Sequence, residues 1–252
     1  MATENSQKSG GRIIAMWSGP RNLSTAMMRS FSSRADCKAV DEPFYAAYLA
    51  ATGLQHPMRD AVIASQPTDP AEVIAQCLKA PEEPNRIFYQ KHMTHHMIDG
   101  FDTGWMAKVT NVFLIRSPER VLASYAAKAE RVTAADIGFV RQRELFDEVH
   151  AATGDAPAVV DAADIRRNPA AMLEKLCAAI GIPFDTAMLS WPQGPHEADG
   201  VWAAHWYDSV WRSTGFAPPE TGEPPPLPQA LEVIANEVRP DYEHLRRFAL
   251  QV

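Results

Sequence analysis

Arg21, Ser24 and Thr25 stand where a short apolar run gives way to a helical pattern, and together they suit the holding of an anion. In Trp17-Ser18-Gly19-Pro20-Arg21-Asn22-Leu23-Ser24-Thr25, the residues from Arg12 to Trp17 read as a strand covered on both faces, and those from Asn22 to Phe31 as a helix. A helix entered so tightly offers unpaired backbone N–H groups and the positive end of its dipole. Arg21 adds a permanent planar cation, and Ser24 and Thr25 add hydroxyl donors. A second pair of this kind is Arg116 with Ser124. Arg116 ends the apolar run Val109 to Ile115, and Ser117, Arg120 and Ser124 share a helix face. One anion can therefore meet the guanidinium and the Ser124 hydroxyl together. Proton transfer has two candidates, each at a strand end: His92 in Gln90-Lys91-His92-Met93-Thr94-His95-His96, and Glu42 in Asp41-Glu42-Pro43. Imidazole titrates near neutrality, whereas a carboxylate needs burial to become a comparable base. A plainer reading stands beside each, namely a capped turn with an exposed arginine, or an acid favoured by a helix N-terminus.

These residues are spread over five strand-like runs: Arg12 to Trp17, Cys37 to Asp41, Arg86 to Lys91, Val109 to Ile115, and Pro157 to Asp161. Helical patterns lie between and after them, over 43–51, 71–79, 118–152 with a break near Val132-Thr133, 168–181, and 231–250. Such alternation predicts a mostly parallel sheet with helices on both faces and a ligand at the carboxyl ends of the strands. Loops His56 to Pro70 and Asp99 to Lys108 are the expected acceptor-side segments, and Pro218 to Pro228 reads as a linker.

Composition narrows the class. With 252 residues and 46% hydrophobic content the chain can bury one large core, so a second domain is not required. The net charge of −7 argues against sequence-independent nucleic-acid binding. No apolar run is long enough to span a membrane, and 1–11 is polar without a secretory core, which predicts a disordered tail on a cytoplasmic protein. Cys37, Cys77 and Cys177 are odd in number and far apart, as reduced thiols would be. A metal site on His92, His95 and His96 is the weaker alternative to their being polar neighbours at a helix start. The loop is not a Walker A motif, because a G-x-x-x-x-G-K-[ST] frame on Gly19 puts Ser24 on its second glycine and Thr25 on its lysine.

Pro20-Arg21-Asn22-Leu23-Ser24-Thr25 instead resembles, in register, the P-K-S-G-T-T 5'-phosphosulfate loop of sulfotransferases that use 3'-phosphoadenosine-5'-phosphosulfate (PAPS). Arg21 takes the lysine position, and Leu23 takes a glycine position, where easy access to positive φ is lost. Arg116 to Ser124 resembles the motif that holds the 3'-phosphate in that family. The family's K-T-H matches in one of two ways: His92 on the histidine with Gln90 on the lysine, or Lys91 on the lysine with Met93 on the histidine. Some members place a Glu after the second strand, which makes Glu42 the rival base. Gly200-Val201-Trp202-Ala203-Ala204-His205-Trp206 resembles the second half of the R-K-G and G-D-W loop. No R-K-G precedes it, which leaves Arg212 or Arg167 to supply the charge, and Trp202, Trp206 and Phe216 to cover adenine.

The resemblance implies an α/β, three-layer P-loop NTPase-like fold over 12–252, with a mostly parallel sheet of about five strands flanked by helices. It implies a PAPS-dependent enzyme, releasing 3',5'-ADP, that acts without a metal on a hydroxyl or amine of a small or carbohydrate-like acceptor, with no nucleic-acid or membrane partner. Gly19 to Thr25, Arg116, Ser124 and Trp202 would hold the nucleotide. Arg21, Lys91, His92 and Glu42 would serve the reaction. The rivals are a P-loop kinase or nucleotidase, which the absent Walker lysine disfavours, and a non-catalytic nucleotide-binding module.

Overall fold

The computed structural model describes residues 11–83, 85–127 and 132–252. All but Gly11 of the expected tail lies outside them. In chain order the elements are β1 (Arg12–Ser18), α1 (Ser24–Ser32), β2 (Cys37–Asp41), α2 (Tyr45–Thr52), α3 (Arg59–Ser65), α4 (Pro70–Cys77), β3 (Ile87–Met93) and β4 (Thr110–Ile115). There follow α5 (Pro118–Ala126), α6 (Ala134–Ile137), α7 (Phe139–Thr153), β5 (Ala158–Asp161), α8 (Ala162–Arg167), α9 (Pro169–Ala179), α10 (Ala203–Trp206), α11 (Asp208–Trp211) and α12 (Gln229–Arg246).

The strands pair in the order β2-β3-β1-β4-β5, every pair parallel. The run Ile14 to Ser18 is fully buried because β1 lies in the middle of this sheet with helices on both faces. Side chains alternate across it. Ile14 and Met16 join Tyr89, Val112 and Leu114 in a core under α1 and α9, while Ala15 and Trp17 join Phe113, Ile115 and Val159 under α7 and α12. Since the sheet is parallel, all five carboxyl ends open on one edge, where the candidate residues gather.

Local chemistry sets most helix ends. Asp69 accepts from Ala71 N and Pro70 fills the first helical position of α4; Asn168 and Pro169 do the same for α9. The described residues of 118–152 form three helices, with a Thr133 and Asp136 capping box starting α6 and Gly138, at φ 69°, separating α6 from α7. Helix α3 was not expected within the loop His56 to Pro70. Gln66 follows it directly, and its side chain accepts from Ala46 N and donates to Glu42 O, so the segment braces the turn after β2. The cysteines are unpaired. No helix among the described residues is long and apolar enough to cross a membrane.

Candidate active site

The loop after β1 is held by packing before it meets any ligand. A Cβ on Gly19 would fall 2.2 Å from Ile137 O, so this glycine serves close approach to α6; Gly19 does not line the cleft. Arg21 and Leu23 both take left-handed conformations, at φ 62° and 71°. The chain thus makes with a leucine the turn for which the related pattern uses glycine, at a strain of about 1–3 kcal/mol per residue. Met27 N then donates to Leu23 O and α1 begins at Ser24, two residues later than the apolar pattern indicates. The Asn22 side chain is fully buried, and among the described residues neither its Nδ2 nor its Oδ1 has a partner. Loop residues Pro20 to Thr25 line a cleft of about 250 Å³.

The second anion motif closes on the first. Arg21 Nε donates to Ser124 Oγ at 3.0 Å, and Arg116 Nη1 donates to Arg21 O at 2.7 Å. Arg116, at the end of β4, and Ser124, two turns into α5, both line the cleft, as their spacing implied. Among the described residues Arg21 has no carboxylate partner; burial first, then the neighbouring Arg116 guanidinium, push it below its ordinary value. Two adjacent guanidiniums and the start of α1 therefore meet at one wall, a strongly anion-seeking arrangement.

The opposite wall comes from the ends of β2 and β3. Lys91 is buried and its Nζ donates to Asp41 Oδ1 at 2.8 Å, Glu42 Oε1 at 2.6 Å and Tyr207 OH at 2.5 Å. Tyr207 OH donates to Asp41 Oδ2 at 2.7 Å. Burial alone would lower the Lys91 ammonium, but Asp41 and Glu42 outweigh it and hold Lys91 well above its ordinary value. For Glu42 burial dominates, the Asp41 charge adds to it, and the carboxyl is raised despite Lys91. Glu42 sits at φ 40°, its N–H donating to Lys91 O, so a strained residue extends the ladder and turns its side chain to the cleft.

His92 is elsewhere. In the parallel register it lies opposite Trp17 and stacks on that indole at 4.3 Å, with Trp105 and Phe44 around it. Its Nε2 shares a hydrogen bond with Gln90 Oε1 at 3.0 Å, and burial pushes its pKa down to about 3. Gln90 and His92 point into the core under α7, while Lys91 and Met93 line the cleft. The expectation that His92 takes a proton from the acceptor does not fit this placement. Of the two K-T-H matches, the geometry agrees with the one that sets Lys91 on the lysine and Met93 on the histidine. Among the described residues no three His, Cys, Asp or Glu side chains gather as a metal site.

A family profile described as "Sulfotransferase domain" matches residues 11–245. The chain belongs to the sulfotransferase family. Among solved structures, it superposes on a sulfotransferase from Alicyclobacillus acidocaldarius with a TM-score of 0.57 at 11% identity, covering 94% of both chains. The sulfotransferase domain from the curacin biosynthetic pathway gives 0.52 at 14%, covering 91% of this chain and 98% of that one. Both likenesses concern the fold. Among curated proteins, the Arabidopsis thaliana "Branched-chain-amino-acid aminotransferase-like protein 1" is 36% identical over 208 residues, which is 82% of this chain and 37% of that protein. The chain thus spans well under half the length of that relative.

Within this sulfotransferase fold, Trp202 is a second correction. It is 1% exposed, packs in the core beneath α1 and donates through Nε1 to Tyr207 OH at 3.2 Å, so it supports the Lys91 cluster from behind. Trp206 lines the cleft; Phe216 packs against Trp191. Neither arginine expected to supply the missing charge joins Arg116. Arg167 pairs with Asp164, and Arg212 does not line the cleft. It is Arg166 that shares Glu220 with Arg116. The cleft also contains Tyr45, whose OH meets His56 Nδ1 at 3.0 Å, along with His95, His96, Tyr125 and Tyr207. No motif marks the tyrosines; Tyr207 comes from the turn between α10 and α11, more than a hundred positions from Lys91, whereas His95 and His96 closely follow β3.

Proposed function

We propose that the protein transfers a sulfuryl group from PAPS to a hydroxyl of a small acceptor, with Glu42 rather than His92 as the base. The observation that carries this is the junction along one wall of the cleft, in which Arg21 reaches Ser124 and Arg116 reaches the Arg21 carbonyl. It joins the two anion-seeking motifs into one wall, and the buried Asn22 amide leaves donors and an acceptor for a ligand there. Nucleotide contacts are assigned to Pro20 to Thr25, Arg116 and Ser124. PAPS supplies the sulfuryl group. The bond from sulfur to the 5'-phosphate oxygen breaks, a bond to the acceptor oxygen forms, and the acceptor proton passes to Glu42. Arg21 and the α1 N–H groups meet the charge that grows on the departing oxygen. Lys91 keeps Glu42 in place and limits how far burial raises it. With no β- or γ-phosphate to clamp, the reaction is assigned no metal.

The test is thermal unfolding with 3',5'-ADP against ADP at matched concentration. At a hundredfold excess over Kd the former stabilises by about 2.7 kcal/mol, roughly 5–10 °C in midpoint for a chain of this size. Equal shifts from both nucleotides would remove the 3'-phosphate site from the reading. Sulfuryl transfer from PAPS to a panel of alcohols should then proceed in EDTA; turnover that stops and returns with Mg²⁺ or Zn²⁺ would contradict the metal-free assignment.

A further inference from the structure

Arg116 is not free to receive a ligand in this structure, because a carboxylate already sits on it. Glu220, in the proline-rich stretch 218–228, accepts from Arg116 Nη2 through Oε1. The same oxygen lies 2.6 Å from Arg166 Nη1, and Oε2 lies 3.6 Å from Arg120 Nε. These arginines also grip the backbone on either side: Arg166 Nε donates to Pro218 O at 2.8 Å, and Arg120 Nη2 donates to Gly222 O at 2.7 Å. Burial pushes the Glu220 carboxyl up, yet Arg116, Arg166 and Arg120 together hold it below the ordinary carboxylate range, so it is anionic at neutral pH.

Three guanidiniums converge here from three elements: the end of β4, the first turn of α5, and α8. Among the described residues none of them has a second carboxylate within ion-pair distance. One carboxylate leaves two of the three positive charges unmatched. Guanidinium forks facing one point from three directions suit a tetrahedral oxyanion with several oxygens better than a flat monoanion. A phosphate monoester brings close to two charges at neutral pH and three acceptor oxygens. Position agrees with charge, since Arg116 reaches the Arg21 loop with Nη1 and Glu220 with Nη2.

Resting on the PAPS reading above, we propose that Arg116, Arg120 and Arg166 receive the donor's 3'-phosphate, and that Glu220 is an internal counter-anion which that phosphate must displace. Two anions cannot share the site, so binding releases the segment around Glu220. The device couples donor binding to the segment: a nucleotide without a 3'-phosphate leaves Glu220 in place, whereas one that carries it loses part of its binding free energy to the displacement. Glu220 is on this account an internal competitor, lowering affinity for nucleotides that need the site and leaving the others unaffected.

The experiment is titration calorimetry of the intact chain and of Glu220→Gln, Arg120→Ala and Arg166→Ala with 3',5'-ADP and with ADP. Glu220→Gln should bind 3',5'-ADP about tenfold more tightly, equivalent to about 1.4 kcal/mol. Each arginine variant should bind it at least tenfold more weakly and approach its own affinity for ADP. In the unaltered chain, 3',5'-ADP but not ADP should speed proteolysis within 218–228, a readout independent of any variant's folding. If the parent prefers 3',5'-ADP while Glu220→Gln shows unchanged or weaker binding and the segment keeps its protection, Glu220 is no competitor and the inference fails alone. If the parent binds the two nucleotides equally, the donor reading fails and takes the inference with it.

Discussion

The two faces of β3 divide one short run between two jobs. Lys91 and Met93 face the cleft, where charge is concentrated and Asp41, Glu42 and Tyr207 close around the ammonium. Gln90 and His92 face the core, where a neutral imidazole packs between indoles and burial keeps it uncharged. Neighbouring residues with similar chemical promise thus have opposite fates, fixed by a period of two along the strand. The lesson is that a titratable side chain near a strand end has meaning only once its face is known.

The largest effect that would sharpen this contrast is on turnover. Glu42→Gln should lower kcat about 100- to 10,000-fold, the usual worth of a general base, with 3',5'-ADP affinity unchanged. In the parent, the acid limb of the pH–rate profile should lie above the ordinary carboxylate range, because burial raises Glu42. A variant that keeps most of its kcat would return the proton to the solvent or to another cleft residue. Next in size is Lys91→Met. Removing the ammonium leaves Asp41 and Glu42 buried without their counter-charge, a loss of about 3–5 kcal/mol in urea unfolding. A loss under about 1 kcal/mol would mean the cluster is solvated and the contrast between the faces overstated.

The smallest effects belong to the core face. His92→Phe keeps the stacking on Trp17 and Trp105 but orphans Gln90 Oε1, costing about 1–3 kcal/mol with kcat unchanged per folded molecule. A tenfold fall in kcat at full folding would place His92 back in the reaction. Its pKa is about 3 in the folded chain and about 6.5 unfolded, so the unfolded state binds the proton first. Stability tied to His92 is therefore complete above about pH 6.5 and is lost as pH falls toward 3, by about 1.4 kcal/mol per pH unit. In His92→Phe that slope should be shallower by this amount; an unchanged slope would show that His92 does not titrate with unfolding.

The sheet was legible in the sequence because parallel strands buried on both faces are continuous apolar runs, and all five stand within a few residues of their expected places. The same property hides side-chain direction. With both faces covered, Gln90-Lys91-His92-Met93 has no polar and apolar alternation to say which residues meet the cleft. The Arg21 and Arg116 motifs were legible because their contacts are local to a strand end and the turn after it. Tyr207 and Glu220 were not, since each arrives from a distant segment whose composition reads as core or linker. Leu23 shows a limit of another kind: propensity places glycine in a left-handed turn, but the packing of Gly19 against Ile137, the bond from Arg116 to Arg21 O and the bond from Arg21 to Ser124 hold the loop in that shape.

The strand order also sets the timing of assembly. Of the five strands β1 is made first and is the central one, yet it pairs Ile14 with Tyr89 on one side and with Thr110 on the other. At synthesis rates of about 5–20 residues per second, its apolar run must wait several seconds for both neighbours. Parallel pairings this distant along the chain close slowly. The Arg21 loop, anchored only when β4 and α5 deliver Arg116 and Ser124, thus takes its final shape well after β1 is made. Nucleotide affinity should appear late in refolding, after the helices have formed, and chaperone demand should fall on the nascent β1.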